Sequence, residues 1–328
     1  MFNNQTILVT GGTGSWGYEL VRQLLTYNPK EIRIFSRNES NQFTMKQEFD
    51  NNSKLNFVIG DIKERDSLIE ACQDVDYVFH LAALKHVPVC EDQPLEALKT
   101  NVTGTQNVID ASIICNVNRV IYISTDKAAN PSNFYGLSKA MGERLIIHAN
   151  TLNTKTRFVC IRGGNVLGTN GSVIHVFKKQ IREKGKIGIT DVNMTRFFLT
   201  LEDAIKLVFK ATSESIGGEI FVMKMPTCKI IDLAYVLIEA SNKTDIEIEI
   251  LGIRPGEKIH ELLLSEYEAT MTIAYDEEYF VILPPIHIEG LKEYYSEYKR
   301  VNLVNYNSSG ELMSKNEIKE LLKKGSFI

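Results

Sequence analysis

The stretch "ILVTGGTGSWGYELVRQLL", residues 7–25, decides the fold. A β-branched apolar run ends in a glycine-rich turn, and the run after it repeats apolar residues at three- and four-residue steps. Gly11, Gly14 and Gly17 therefore lie between a strand and a helix. Glycines there allow a tight turn and bring backbone close to a pyrophosphate, whose charge meets the helix N-terminus. The pattern predicts a dinucleotide site at the start of the chain, with Gly11, Thr13, Gly14, Ser15, Trp16 and Gly17 as its contacts.

Outward from this turn the same alternation continues. "EIRIFS" (31–36), "LNFVIGD" (55–61), "VDYVFHLA" (75–82), "RVIYIST" (119–125) and "TRFVCIR" (156–162) read as buried strands after 6–10. Helical patterns separate them, as at 16–27 and 101–115. Such alternation implies right-handed crossovers and a parallel sheet covered on both faces. The expected fold is α/β: a Rossmann-like doubly wound parallel sheet with a smaller mixed α/β substrate region. After about residue 165 the rhythm breaks. Residues 171–185 and 229–241 read as helices, 246–251 as a strand, and about the last forty residues as polar helices and loops. The expected division is a nucleotide-binding domain over 1–165, returning at about 190–215, and a substrate region with tail over 166–328.

Composition excludes several function classes. The 328 residues are 44% hydrophobic and 24% charged with a net charge of −4, which supports neither disorder nor a nucleic-acid partner. Cys72, Cys90, Cys115, Cys160 and Cys228 are scattered without a CxxC pair and read as free thiols in a reducing compartment. The six histidines show no ligand spacing, so no metal is assigned. No run approaches the ~20 apolar residues of a membrane span, and a cytoplasmic protein with no membrane partner is expected.

The end of the second strand bears on the choice of dinucleotide. NAD sites usually place a carboxylate there for the ribose hydroxyls. This strand ends "IFSRNES", offering Ser36 and Arg37, and a guanidinium can grip a 2′-phosphate in a forked geometry. NADP is expected over NAD, with Glu39 keeping NAD in play. Asp61 and Ile62 after the third strand would border the adenine side. Ala82, Ala83 and Lys85 after the fourth would border the nicotinamide side.

"STDKAANPSNFYGLSK" (124–139) follows the fifth strand and carries Tyr135 and Lys139 on one helical face. An ammonium near a phenol favours the phenolate, so the pair, with Thr125, can take a proton from a sugar hydroxyl as hydride leaves. The adjacent Asp126 and Lys127 read either as a charged turn or as a second acid and base.

GGTGSWG and YxxxK resemble the extended short-chain dehydrogenase/reductase superfamily. More specific strings are "HLAALKHVPVCEDQPLEALKTNVTGTQNV", "STDKAANPSN", "GNVLGTNGSVI", "DVNMTRFFLTLEDA" and "GIRPGEKIHELLL". Together they resemble the soluble UDP-N-acetylglucosamine 4,6-dehydratases of bacterial polysaccharide and flagellin-sugar biosynthesis, over roughly residues 3 to 285. The resemblance implies oxidation at C4, elimination of water across C5 and C6, and hydride return to C6. It implies Tyr135 as base at the C4 hydroxyl, Thr125 bonding O4, Lys139 orienting ribose and tyrosine, Lys127 as the C5 base and Asp126 as the acid for the departing hydroxyl. A neutral Lys127 would require desolvation or a neighbouring cation such as Lys85 or Lys139, and burial would help Asp126 hold a proton. The adjacent pair can also share one proton.

For the diphosphate and uridine of UDP-N-acetylglucosamine, Arg196 and Arg254 are the expected cations, with Lys258 behind them and Glu257 for the ribose hydroxyls. Asn165, Ser172, Val173 and Lys85 would line the sugar diphosphate. One departure from the family is Gly163 where an aromatic is usual, which is expected to leave space beside Asn165. A UDP-sugar 4-epimerase, a keto-sugar reductase and a non-catalytic NADP-sensing protein are the alternatives. The resemblance also implies a homo-oligomer, a dimer or hexamer.

Overall fold

The computed structural model describes residues 1–152, 155–169 and 171–328. Strand β1 (Thr6–Thr10) is buried along its length and leads through the glycine turn into helix Ser15–Leu25. Strands β2 (Glu31–Ser36), β3 (Leu55–Ile59), β4 (Tyr77–His80), β5 (Arg119–Thr125) and β6 (Arg157–Gly163) follow, alternating with helices. They pair in parallel in the order β3-β2-β1-β4-β5-β6. Helices cover both faces, which is why Ile7, Leu8, Val9, Val78, Phe79, Val120 and Ile121 are all buried. The strand order reverses between β1 and β4, and open sheets hold ligands in the crevice at the carboxyl ends of such a pair.

The chain beyond residue 165 contributes to the main sheet as well. Strand Ile220–Met223 adds in parallel beside β6, followed by Tyr279–Ile282 and Thr272–Ala274, both antiparallel to their neighbours. The second half thus completes the main sheet. Helix Leu201–Glu214 also packs back onto the main core, while another part of the second half forms a smaller body around a separate core of Leu167, Phe177, Ile181, Leu233, Leu237, Ile318 and Leu322. Helices Val173–Lys184, Ile230–Ala240 and Lys315–Lys324 build that core, the last started by a Ser314–Glu317 capping box. The tail helix is amphipathic and not merely polar, since Ile318 and Leu322 are buried. The expected strand at 246–251 is Glu247–Ile250, paired in parallel with Lys186–Ile189. Strand Thr195–Leu199 pairs with Asn165–Val166 and Thr227–Lys229, and carries Arg196 toward the end of the main sheet. Among the described residues no helix is long and apolar enough to cross a membrane.

Candidate active site

The glycine turn answers two steric demands of the protein itself. A Cβ on Gly11, whose φ is +69°, would stand 2.8 Å from the backbone of Ala82, and one on Gly17 would overlap the Gly12 carbonyl. Gly14 is different: a Cβ there would meet only the Gly11 oxygen, at 3.4 Å. Gly14 also starts helix Ser15–Leu25 with no side-chain cap and no acidic residue in the first turn. Open space beside a helix N-terminus fits a pyrophosphate.

At the end of β2, Ser36 is buried, and its hydroxyl and carbonyl oxygens each accept from Gln42 Nε2 at 3.0 Å. Arg37 is exposed, with its guanidinium 3.7 Å from Asp61 across the β2–β3 edge. Glu39 opens helix Glu39–Glu48, which Asn38 caps. Ile62 is buried against Gly104. After β4, Ala82 and Ala83 are half-buried and Lys85 is exposed. Asn101, on a single π-helical turn over Lys99–Thr103, grips this segment through both backbone groups of Leu84, at 2.8 and 2.9 Å. Asn101 Nδ2 also donates to Ser138 Oγ at 2.9 Å, tying the segment to the tyrosine helix. Asn101 was not among the expected site residues.

The candidate catalytic turn grows directly from the sheet. β5 ends at Thr125, Asp126–Ala128 form a 3-10 turn, and Asn133 caps helix Phe134–Ala149 by accepting from the Gly136 N–H at 2.9 Å. A Cβ on Gly136 would overlap the Lys127 carbonyl oxygen, so glycine lets the tyrosine helix close onto the turn. Asp126 is fully buried. Its Oδ1 accepts from Thr125 Oγ1 and from Lys127 Nζ, both at 2.9 Å, while Oδ2 has no partner among the described residues.

Two electrostatic expectations are revised. Lys127 was expected to be neutral beside other cations. Its ammonium instead lies between Asp126 and, at 3.6 Å, Glu261. Burial and the Arg196 charge pull its pKa down, but the two carboxylates overcome them and hold it above the ordinary lysine value. Lys139 was expected to act on Tyr135. Its Nζ donates to the Ile123 carbonyl at 2.7 Å and sits 3.8 Å over the Tyr122 ring, and burial lowers it to about 7. Burial pushes Tyr135 up to about 12, and the groups drawing it back are the Lys127 ammonium and the Thr125 hydroxyl.

The loop 252–261 clasps this turn. Lys258 Nζ donates to the carbonyls of Ala129 and Asn130 at 3.2 and 2.6 Å. Ser132 Oγ and Asn133 Nδ2 donate to the Gly256 carbonyl at 3.1 and 2.9 Å. Arg196 is buried beneath the loop, donating to the carbonyls of Thr195, Ile259 and Lys258 at 2.7–3.0 Å. It braces the loop, and Arg254 is the exposed arginine. Glu257 Oε2 accepts from Thr190 Oγ1 at 3.3 Å and from the Arg254 N–H at 3.4 Å. Asn165 and Val173 are half-buried at the starts of their elements. Ser172 precedes its helix with a buried hydroxyl that has no partner among the described residues. The space expected from Gly163 is taken by sulfur: a Cβ there would lie 3.2 Å from Met223 Sδ and 3.9 Å from Met225 Sδ. Glu261, buried at the end of the loop, was not expected in the site.

Residues 7–283 match the model of a family described as polysaccharide biosynthesis protein. A UDP-N-acetylglucosamine 4,6-dehydratase (inverting) of Campylobacter jejuni is 45% identical over 87% of this chain and 85% of its own length. A UDP-glucose 4-epimerase of Rickettsia bellii is 40% identical over 98% of this chain and 96% of its own. The X-ray structure of Pen from Bacillus thuringiensis superposes with a TM-score of 0.91 at 40% identity, covering 98% of this chain and 99% of that one. The chain belongs to the polysaccharide biosynthesis protein family, within the extended short-chain dehydrogenase/reductases.

Proposed function

We propose that the chain is a UDP-N-acetylglucosamine 4,6-dehydratase that works with bound NADP. The observation carrying this reading is the couple of buried Asp126 and half-buried Lys127, 2.9 Å apart and next to Tyr135. Oxidation at C4 needs the tyrosine alone; a second acid and base are needed only for elimination. Bound NADP would accept a hydride from C4 and give it back at C6. Tyr135 takes the proton of the C4 hydroxyl as the phenolate, the form that the Lys127 ammonium and the Thr125 hydroxyl favour against burial. One proton passing from Lys127 Nζ to Asp126 Oδ1 creates both remaining catalysts at once: a neutral amine and a carboxylic acid. The amine removes the C5 proton while Asp126 protonates the departing C6 hydroxyl, which leaves as water. Lys127 then returns a proton to C5 as hydride reaches C6. The Asp126–Lys127 couple ends one proton short and Tyr135 one proton ahead, and the Thr125 hydroxyl, bonded to Asp126 Oδ1, lies on the return path.

Exposed Arg37, with Ser36 in place of a carboxylate at the end of β2, supports NADP over NAD. Gly11, Thr13, Gly14, Ser15, Trp16 and Gly17 would hold the pyrophosphate. Asp61, Ile62, Ala82, Ala83 and Lys139 would hold the nucleosides. Arg254 and Glu257, with Lys85, Asn165, Ser172 and Val173, would hold the UDP-sugar. We assign C5 inversion by likeness to the Campylobacter enzyme. The assembly is proposed as a homo-oligomer joined through the apolar face of Val89, Leu95, Leu137 and Met141, which are exposed on neighbouring helices.

The Rickettsia relatives favour a second reading, a UDP-sugar 4-epimerase. Proton NMR of purified protein incubated with UDP-N-acetylglucosamine, without added reductant, separates the two. A 4-keto-6-deoxy sugar nucleotide is expected; UDP-N-acetylgalactosamine with an intact C6 hydroxymethyl would establish the epimerase.

A further inference from the structure

Glu261 contributes to none of the roles assigned so far, yet the fold buries its carboxylate inside the site. It directly precedes strand Leu262–Leu264, which packs against the Asp126–Ala128 turn. Ser308 pins its backbone on both sides: the Glu261 N–H donates to Ser308 Oγ, and the Glu261 carbonyl accepts from the Ser308 N–H, each at 2.9 Å. Glu261 Oε1 stands 3.6 Å from Lys127 Nζ and 3.5 Å from Arg196 Nε. Its Oε2 is buried with no hydrogen-bond partner among the described residues. A carboxylate kept dry and half-satisfied is costly, and what offsets the cost here is charge, from two cations.

Resting on the dehydratase reading, we propose that Glu261 is a positioning residue for Lys127: it holds the amine between two carboxylates and sets the pH range over which the couple carries its one shared proton. The charged and titratable groups facing Lys127 are Asp126 on its own turn, Tyr135 on the following helix, Arg196 on its strand, and Lys258 and Glu261 on the clasping loop. Of these, Asp126 and Glu261 favour the protonated amine, and Arg196 and Lys258 oppose it. The couple is competent while it holds one proton, whichever partner carries it. Above the pH at which that proton is lost, Asp126 has nothing to donate and activity falls. Glu261, as a neighbouring anion, displaces this alkaline limb upward.

The test is the pH dependence of kcat for the full chain with UDP-N-acetylglucosamine, wild type against Glu261→Gln. Neutralising Glu261 is expected to move the alkaline limb to lower pH by about one unit or more. An alkaline limb unmoved in a variant that retains cofactor and melts like wild type overturns the assignment. If the Gln variant does not fold, Glu261→Asp, which draws the charge back by one methylene, is read the same way: a limb lowered supports the role and a limb unmoved refutes it. The two layers fail separately. Wild type that yields no 4-keto-6-deoxy product overturns the dehydratase reading; an active wild type with an unmoved limb in the variant overturns only the role of Glu261.

Discussion

On the proposed mechanism Asp126 and Lys127 divide the labour with Tyr135, and substitution should separate the steps. Asp126→Asn keeps the shape and removes the acid, so product formation should fall by about 10²–10⁴-fold while C4 oxidation survives. Stopped-flow absorbance of the reduced nicotinamide should then show it accumulating. Tyr135→Phe should show no reduction at all. Arg37→Ala should weaken NADP relative to NAD by about 2 kcal/mol, more than tenfold in Kd by fluorescence titration. The glycine turn was legible in the sequence because it joins one strand to one helix within a single local stretch. Glu261 was hidden because its meaning comes from Lys127, far away in sequence. Arg196 shows a related limit: an arginine in a motif shows its charge, not that it bonds the carbonyls of Thr195, Ile259 and Lys258.

At the scale of elements, the tyrosine helix and the Asp126–Ala128 turn form one unit because Gly136 permits contact. Gly136→Ala would drive a methyl into the Lys127 carbonyl, and the helix or the turn must move. A loss of about 1–3 kcal/mol is expected in denaturant unfolding, together with a fall in kcat larger than the change in KM. The same helix is anchored by Glu143, which meets the buried Arg162 guanidinium at 2.6 Å while Glu268 meets it at 2.9 Å. Removing one partner leaves a buried charge, so Arg162→Met should cost about 3–5 kcal/mol by the same measurement. Strands β1, β2 and β5 were legible to the residue because β-branched runs bounded by turn signals have one reading in an alternating chain. Ile220–Met223, Thr272–Ala274 and Tyr279–Ile282 were not. Runs of three or four residues are too short to show a period, and their partners come from tertiary pairing.

For the whole molecule, the second half both completes the main sheet and supplies a clasp over the Asp126–Ala128 turn, so the proposed substrate contacts and the proposed catalytic residues are joined by one sheet and one loop. The exposed face bearing Leu137 and Met141 gives an expectation about assembly. Light scattering should report at least twice the 37.1 kDa protomer mass, and Leu137→Glu with Met141→Glu should lower it. The central claim is that one site oxidises C4, eliminates water and returns the same hydride to C6. The direct measurement is the position of deuterium after turnover of UDP-N-acetylglucosamine labelled with deuterium at C4. The account predicts deuterium in the C6 methyl group of a 4-keto product; deuterium remaining at C4 of an epimerised sugar would contradict it.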